Sequence, residues 1–268
     1  MTEIQKLDYH AVRPDYDQDW INGISQDDYD ALFKELNVRL NNNSNKKVLD
    51  LAGGSGKLTR MLREKYDAYL FEHVKNLVEQ AIVNGLPREK TFVANILDCD
   101  YLETIKESGK FDAVIIKSST HEFPESKIVD VYKQAFSFLN DGGFIMDWDV
   151  HEPNYEISSW IKKWVNLKDE IAGLTTLVEN RYFYTEEERI NKMKEAGFKS
   201  PHVVYRFSYN WSVRRLGEVY WNSDEQKTKF FYEETKKLLE SVPSEITVEI
   251  SSDDIKLKAP AVIIVAEK

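Results

Sequence analysis

One cysteine, Cys99, stands in 268 residues. No disulfide can close within the chain, and a metal site built on thiolates is excluded. Long apolar runs are missing too: nothing approaches the ~20 residues that a membrane helix needs. The first residues, Met1 to Lys6, lack the charged-then-apolar build of a secretory leader. These absences predict a soluble, cytoplasmic protein with no membrane partner. Basic runs are equally scarce. Lys46-Lys47 and Arg214-Arg215 are the densest pairs, and the formal net charge is −10. A nucleic-acid binder needs a basic footprint for phosphates, so no nucleic-acid partner is expected.

Apolar side chains make up 42% of the chain and aromatics 12%, enough for one sizeable core or a core with an appended cap. The most informative stretch is residues 48–56, Val-Leu-Asp-Leu-Ala-Gly-Gly-Ser-Gly. It reads as a buried strand, an acid near its end (Asp50), and a small-residue loop, Ala52-Gly53-Gly54-Ser55-Gly56. The loop opens onto a helix that starts at Lys57. With almost no side chains in the turn, a nucleoside-type cofactor can lie against bare backbone. A dinucleotide fingerprint needs a third glycine, and Thr59 stands after Gly54 and Gly56 instead. A phosphate loop needs Gly-Lys-Ser/Thr, and Leu58 follows Gly56-Lys57.

Downstream segments repeat the strand–helix rhythm. Residues 68–72 read as a second strand ending in Glu72, close to the ~20-residue spacing between a glycine turn and a ribose-binding acid. A third apolar run covers 91–96. The fourth, 111–116, carries few polar side chains, as a doubly buried strand should. It leads into Lys117-Ser118-Ser119-Thr120-His121-Glu122-Phe123-Pro124. A helix over 126–139 follows, closed by Asn140-Asp141-Gly142-Gly143, and then a strand over 144–149. This alternation predicts a parallel sheet with helices on both faces and ligands beyond the carboxyl ends of the strands.

The loop and its context resemble the class I S-adenosylmethionine-dependent methyltransferases of small-molecule type. Ala52 stands where their first motif has its first glycine, and His121 matches the first His of their His-His-Phe-Pro-like stretch. The resemblance covers residues 48–150 by motif. It implies an α/β fold: a Rossmann-like, doubly wound, seven-stranded, mostly parallel sheet with its last strand antiparallel. It also implies S-adenosylmethionine as cofactor. Asp50, Ala52, Gly53, Gly54 and Gly56 form the glycine-loop side of that site. Glu72 takes the ribose hydroxyls, with His73 beside it. Asn95 and Ile96 meet the adenine in one register, and Asp98 does so in a slipped one. Lys117 sits at the end of the fourth strand. N-terminal lids in such proteins cover the cofactor, which points to Tyr9 and Tyr16, whose rings attract a cationic sulfonium.

The rest of the chain divides as an N-terminal lid (1–40), the cofactor core (41–151), a cap insertion (152–184), a core continuation (185–207), a second insertion (208–257) and a last strand (258–268). The second insertion, about fifty residues, is longer than a hairpin needs. Both insertions are rich in aromatics, which predicts a helical, aromatic cap over a small-molecule acceptor. On the substrate side stand Trp148, Arg181, Tyr182, Trp211 and Arg214, the arginines as anchors for an anion. If the acceptor is a hydroxyl or an acidic carbon, a base helps: His121 first, His151 second. Asp147, Asp149 and His151 alternate and share one face of an extended strand, a set able to hold a divalent cation. The strand can equally bend before His151, and no metal is assigned. The motifs fit methyl transfer. They fit equally a protein that binds the cofactor but catalyses a cyclisation or isomerisation.

Overall fold

A computed structural model of the chain describes residues 21–97, 105 and 109–268. Tyr9 and Tyr16 lie outside the described residues, as do Asp98 and Cys99.

The frame is one eight-stranded sheet. Its strands are β1 (Lys47–Leu51), β2 (Asp67–Glu72), β3 (Thr91–Val93), β4 (Phe111–Lys117), β5 (Leu139–Val150), β6 (Lys199–Ser212), β7 (Thr247–Ile250) and β8 (Ile255–Glu267). Their spatial order is β3-β2-β1-β4-β5-β8-β6, with β7 on the outer half of β8. Strands β1 to β5 pair in parallel, and β8 runs antiparallel to β5, β6 and β7. The chain leaves β1 toward β2 and β3, then returns to the other side of β1 as β4. That reversal leaves a crevice at the carboxyl ends of β1 and β4, the place where such sheets bind ligands.

The sequence reading anticipated seven of these strands, and β7 is an addition. Strand lengths differ as well. β3 stops at Val93, three residues earlier than the apolar run suggests. β6 and β8 reach Ser212 and Ile255, well into the stretch read as insertion, and pair from Lys199↔Glu267 to Ser212↔Lys256 with register shifts between Lys199 and His202 and between Val203 and Tyr205.

Alternation along the strands sorts side chains to two faces. Phe144, Met146, Trp148 and Val150 of β5 join Ala261, Ile263 and Val265 of β8 in one core. Ile145 of β5 joins Val262, Ile264 and Ala266 of β8 in the other. Helix α1 (Gln26–Arg39) covers the first face. A Ser25–Asp28 capping box starts it, and Tyr29, Leu32 and Leu36 form its buried stripe. Half of the segment read as a lid is therefore core. The connections between strands on the β1–β5 side carry α2 (Lys57–Arg63), α3 (Lys75–Val83) and α4 (Ile128–Phe138).

Two inserts leave the sheet at its carboxyl edge. The first is α5 (Tyr155–Ala172) with α6 (Thr175–Asn180). The second is α8 (Val213–Trp221) with α9 (Glu225–Leu238). Between them α7 (Glu186–Glu195), opened by a Thr185–Glu188 capping box, returns to the second face. α7 carries Arg189, whose side chain is 1% exposed. Its guanidinium donates to the carbonyls of Val150 (3.0 Å) and Asp147 (3.3 Å), and its Nε lies 3.5 Å from the Asp147 carboxylate.

Arg189 is the main cation answering Asp147, so removing it strands a buried charge. Arg189→Met should cost about 3–5 kcal/mol in urea unfolding, and adding Asp147→Asn should restore part of the loss. A cost under about 1 kcal/mol would mean the cluster does not hold α7 on the sheet.

Candidate functional site

The glycine loop is shaped by what lies under it. Asp50 is fully buried; its Oδ2 accepts the Thr59 hydroxyl at 2.6 Å, and its Oδ1 has no partner. Gly53 passes directly above. A Cβ there would fall 2.5 Å from Asp50 Oδ2 and 2.6 Å from Leu70 Cδ1, so only glycine fits. Asp50 therefore lies beneath the loop, not in front of it. Ala52 adopts φ +59°, a left-handed conformation. This is the conformation that favours glycine, at a cost to alanine of about 1 kcal/mol. On the far side of the turn, a Cβ at Gly54 would meet nothing within 4 Å. Bare backbone, open space and a buried acid with one oxygen unbonded among the described residues are what a cationic nucleoside cofactor needs.

Glu72 ties this loop to β2. Its Oε2 accepts the Gly54 N–H at 3.0 Å; its Oε1 accepts the Val74 N–H at 2.9 Å and lies 2.9 Å from Nδ1 of the half-exposed His73. Asn95 is half-buried and accepts the Leu97 N–H at 3.0 Å, while Ile96 is buried beside it. Lys117 is 8% exposed, with its Nζ 5.7 Å from the Tyr29 ring and 5.4 Å from the Trp148 ring.

Beyond β4 the chain turns sharply. Ser118 is buried at φ +55°, with its N–H donating to the Trp148 carbonyl at 2.7 Å and its Oγ 2.6 Å from the Tyr209 hydroxyl. Ser119 Oγ contacts the Ala52 carbonyl at 3.3 Å, which links this turn to the glycine loop. The turn delivers His121 to Asp149. The Asp149 carboxylate receives the His121 N–H at 3.0 Å, and His121 Nδ1 lies 2.8 and 3.0 Å from its two oxygens. Burial pushes the Asp149 carboxyl up, but the charge and hydrogen bonds of His121 and the charge of Arg189 outweigh it and hold it below the ordinary range. An ionised carboxylate only accepts, so in the neutral ring the proton sits on Nδ1 and Nε2 is the basic nitrogen. Phe183 stacks on the ring at 5.4 Å.

His121 lines a cleft that is partly open to solvent. Its walls include Trp164, Phe183, Tyr209, Trp211 and Tyr220, with Glu122, Lys168 and Arg181 as charged members. Trp164 and Trp211 stack at 5.3 Å, and Trp211 Nε1 donates to Asn22 at 2.9 Å. Arg181 donates from Nε to Asp169 at 2.7 Å and lies 3.4 Å from Glu122. Lys168 bonds the same Asp169.

The remaining sequence candidates lie elsewhere. Trp148 is wholly buried between Tyr29 and Phe207 and is a core residue, because its position on β5 faces α1. Tyr182 is outside the cleft walls, its hydroxyl donating to Glu188 at 2.9 Å. Arg214 is on the surface with Asp253 at 3.2 Å. His151 lies 3.5 Å from Glu186 and 3.4 Å from Arg206 and is not in the cleft wall. Burial, then the charges of Arg189 and Arg206, lower its pKa to about 4, so it is neutral at pH 7. Asp147 accepts Thr120 (2.8 Å) and Tyr132 (2.5 Å), so the alternating Asp147, Asp149 and His151 each face different protein partners.

Sequence reasoning missed Asp149 as the partner of His121. It also missed Ser118–Tyr209 and the Lys168–Asp169–Arg181 cluster. Lys168 did leave a signal: it continues the apolar stripe Ile157, Trp160, Ile161, Trp164, Val165 at helical spacing.

Residues 48–143 match the family model described as a methyltransferase domain. No curated protein sequence matches the chain significantly. Among solved structures, the chain resembles a candidate methyltransferase from Bacillus halodurans at 15% identity, covering 88% of this chain and 99% of that one, with a TM-score of 0.62. It also resembles the phosphoethanolamine N-methyltransferase 2 of Haemonchus contortus in complex with S-adenosylmethionine. There the identity is 14%, the coverage 93% and 55%, and the TM-score 0.54. A third is the [4+2]-cyclase SpnF, at 13% identity, covering 91% and 82%, with a TM-score of 0.55. Residues 48–143 thus match a methyltransferase domain, and the chain shares the fold of these solved structures. No described helix is long and apolar enough to cross a membrane.

Burial raises the Asp50 pKa from 3.8 to about 6. Between those values the folded state keeps a proton that the unfolded state releases, so this group lowers stability as pH rises from 3.8 to 6. The full loss is about 3 kcal/mol. His151, lowered from 6.5 to about 4, acts with the opposite sign over pH 4 to 6.5. Asp50→Asn isolates the carboxyl: its stability relative to the parent should rise through pH 4–6 and level off above. A pH-independent difference in denaturant titrations would refute the buried-acid assignment.

Proposed function

We propose that the protein is an S-adenosylmethionine-dependent methyltransferase acting on a hydroxyl or acidic carbon of a small molecule held in the aromatic cleft, with His121 as general base. The observation that carries this is the His121–Asp149 pair at the cleft wall, on a turn bonded through Ser119 to the glycine loop. When bound, the cofactor supplies a methyl group on a positively charged sulfur, already activated for displacement.

The protein's part is to bind, orient and deprotonate. Gly53 and Gly54 offer backbone without side chains, and Glu72, fixed to Gly54, is the acid for ribose hydroxyls. Asp50 places a negative charge under the loop, toward a cationic ligand. Asp149 holds the His121 ring with Nε2 as the acceptor nitrogen and stabilises the charge that the ring gains when it takes a proton. Trp164, Phe183 and Trp211 exclude water from the reacting groups.

Likeness to SpnF favours a second reading, in which the same cofactor site serves a cyclisation without methyl transfer. Turnover separates the two, because only methyl transfer converts the cofactor to S-adenosylhomocysteine.

Glu72→Gln should abolish calorimetric binding of S-adenosylmethionine. His121→Ala should leave that binding intact and lower kcat about 10²- to 10⁴-fold. Full activity in His121→Ala would remove the base, and absence of cofactor binding by the parent protein would remove the whole proposal.

A further inference from the structure

The cleft is layered by charge. Lys168, Arg181 and His121 are in its wall, while the acids that fix them, Asp169 and Asp149, lie behind and are at most 1% exposed. Burial raises the Asp169 carboxyl, but the charges of Arg181 and Lys168 bring it below the ordinary range, so it is a fixed anion. Lysine and arginine only donate, and carboxylates only accept. Of the charged groups in the cleft wall, Lys168 and Arg181 are donors and Glu122 is the one acid among the described residues.

Lys168 and Arg181 are each 4% exposed. Desolvating two cations around one carboxylate is expensive, and well-packed apolar residues would hold the cap at lower cost. Glu122, the third carboxylate, stands 3.4 Å from Arg181 with its side chain 23% exposed. Of the contacts described in this cluster this is the longest, and Glu122 is the most open to solvent of its described members. Flat walls complete the picture: Trp164 stacked on Trp211, and the Tyr220 ring 3.8 Å from Lys168 Nζ.

We infer that the acceptor substrate is a small planar acid. Its anionic group takes the place of Glu122 beside Arg181 and within reach of Lys168, its ring lies among the aromatic side chains of the wall, and its nucleophilic group is turned to His121. This rests on the methyltransferase reading of the same cleft.

The test uses the full chain loaded with S-adenosylhomocysteine and reads tryptophan fluorescence, because two tryptophans line the cleft. Probes are benzoate and phenylacetate, their neutral amides, and phenethylamine as a cation of similar shape. The acids should bind about tenfold or more tighter than the amides, and added salt should weaken them. Glu122→Gln should tighten the acids several-fold, since it removes the competing carboxylate, while Lys168→Met should weaken them about tenfold. Glu122 is partly exposed, so its variant remains informative if Lys168→Met does not fold. Amides binding as well as acids, phenethylamine binding tighter, weaker acid binding in Glu122→Gln, or no probe binding at all would each overturn the inference. Calorimetry of S-adenosylhomocysteine on the same samples separates the two claims. Its failure defeats the methyltransferase reading, whereas intact cofactor binding without a preference for acids defeats the substrate class alone.

Discussion

A carboxylate that has left water must be answered by donors, and that requirement orders the carboxyl edge of this sheet. Asp50, Glu72, Asp147, Asp149 and Asp169 are all at most 4% exposed. Each is answered by its own set of donors. Thr59 serves Asp50, backbone N–H groups serve Glu72, Tyr132 and Thr120 serve Asp147, His121 serves Asp149, and Lys168 and Arg181 serve Asp169. The donors lie on the loops and helices that follow the strands. Satisfying the acids therefore fixes the paths of those connections, and the site is assembled as a by-product.

Glu152 is the exception. Both its carboxyl oxygens are buried without hydrogen-bond partners among the described residues, and burial raises its pKa well above the ordinary range. The charge of Arg189, which also acts on Asp147 and Asp149, offsets only part of that burial. The strained backbone belongs to the same economy of space. Ala52 and Ser118 both adopt left-handed conformations, and Ser119 Oγ reaches the Ala52 carbonyl across the gap between their loops. Strain at two linked turns is held in place by the strands on either side.

Much of this was legible in the chain. The alternation of apolar runs and helix signals gave the parallel strands, and the small residues at 52–56 gave the crevice. Asp50, Glu72 and His121 stood out as candidates because each lies at or just beyond a recognisable strand end. What stayed hidden depends on pairs far apart in sequence. Asp149 and His121 are 28 residues apart, Ser118 and Tyr209 are 91 apart, and nothing local announces either contact. Trp148 and Trp211 look alike as letters and lie on the same face of the sheet; only their places along it put Trp148 under α1 and Trp211 in the cleft wall. The two arginines differ in the same way. Arg181 follows a helix that packs against the cap and is buried, while Arg214 opens a surface helix.

The long antiparallel pair of β6 and β8 runs from core to cap. β7 continues along β8 where β5 has ended, so β8 is paired on both edges along most of its length. Helices α8 and α9 hang between β6 and β7, from a rim that the sheet itself stabilises. Their sequence can drift, lengthen or be exchanged while the register of β8 against β5 is untouched. A lineage carrying this architecture can remodel its pocket ceiling without renegotiating its cofactor floor, so innovation in substrate choice and conservation of the fold can proceed side by side.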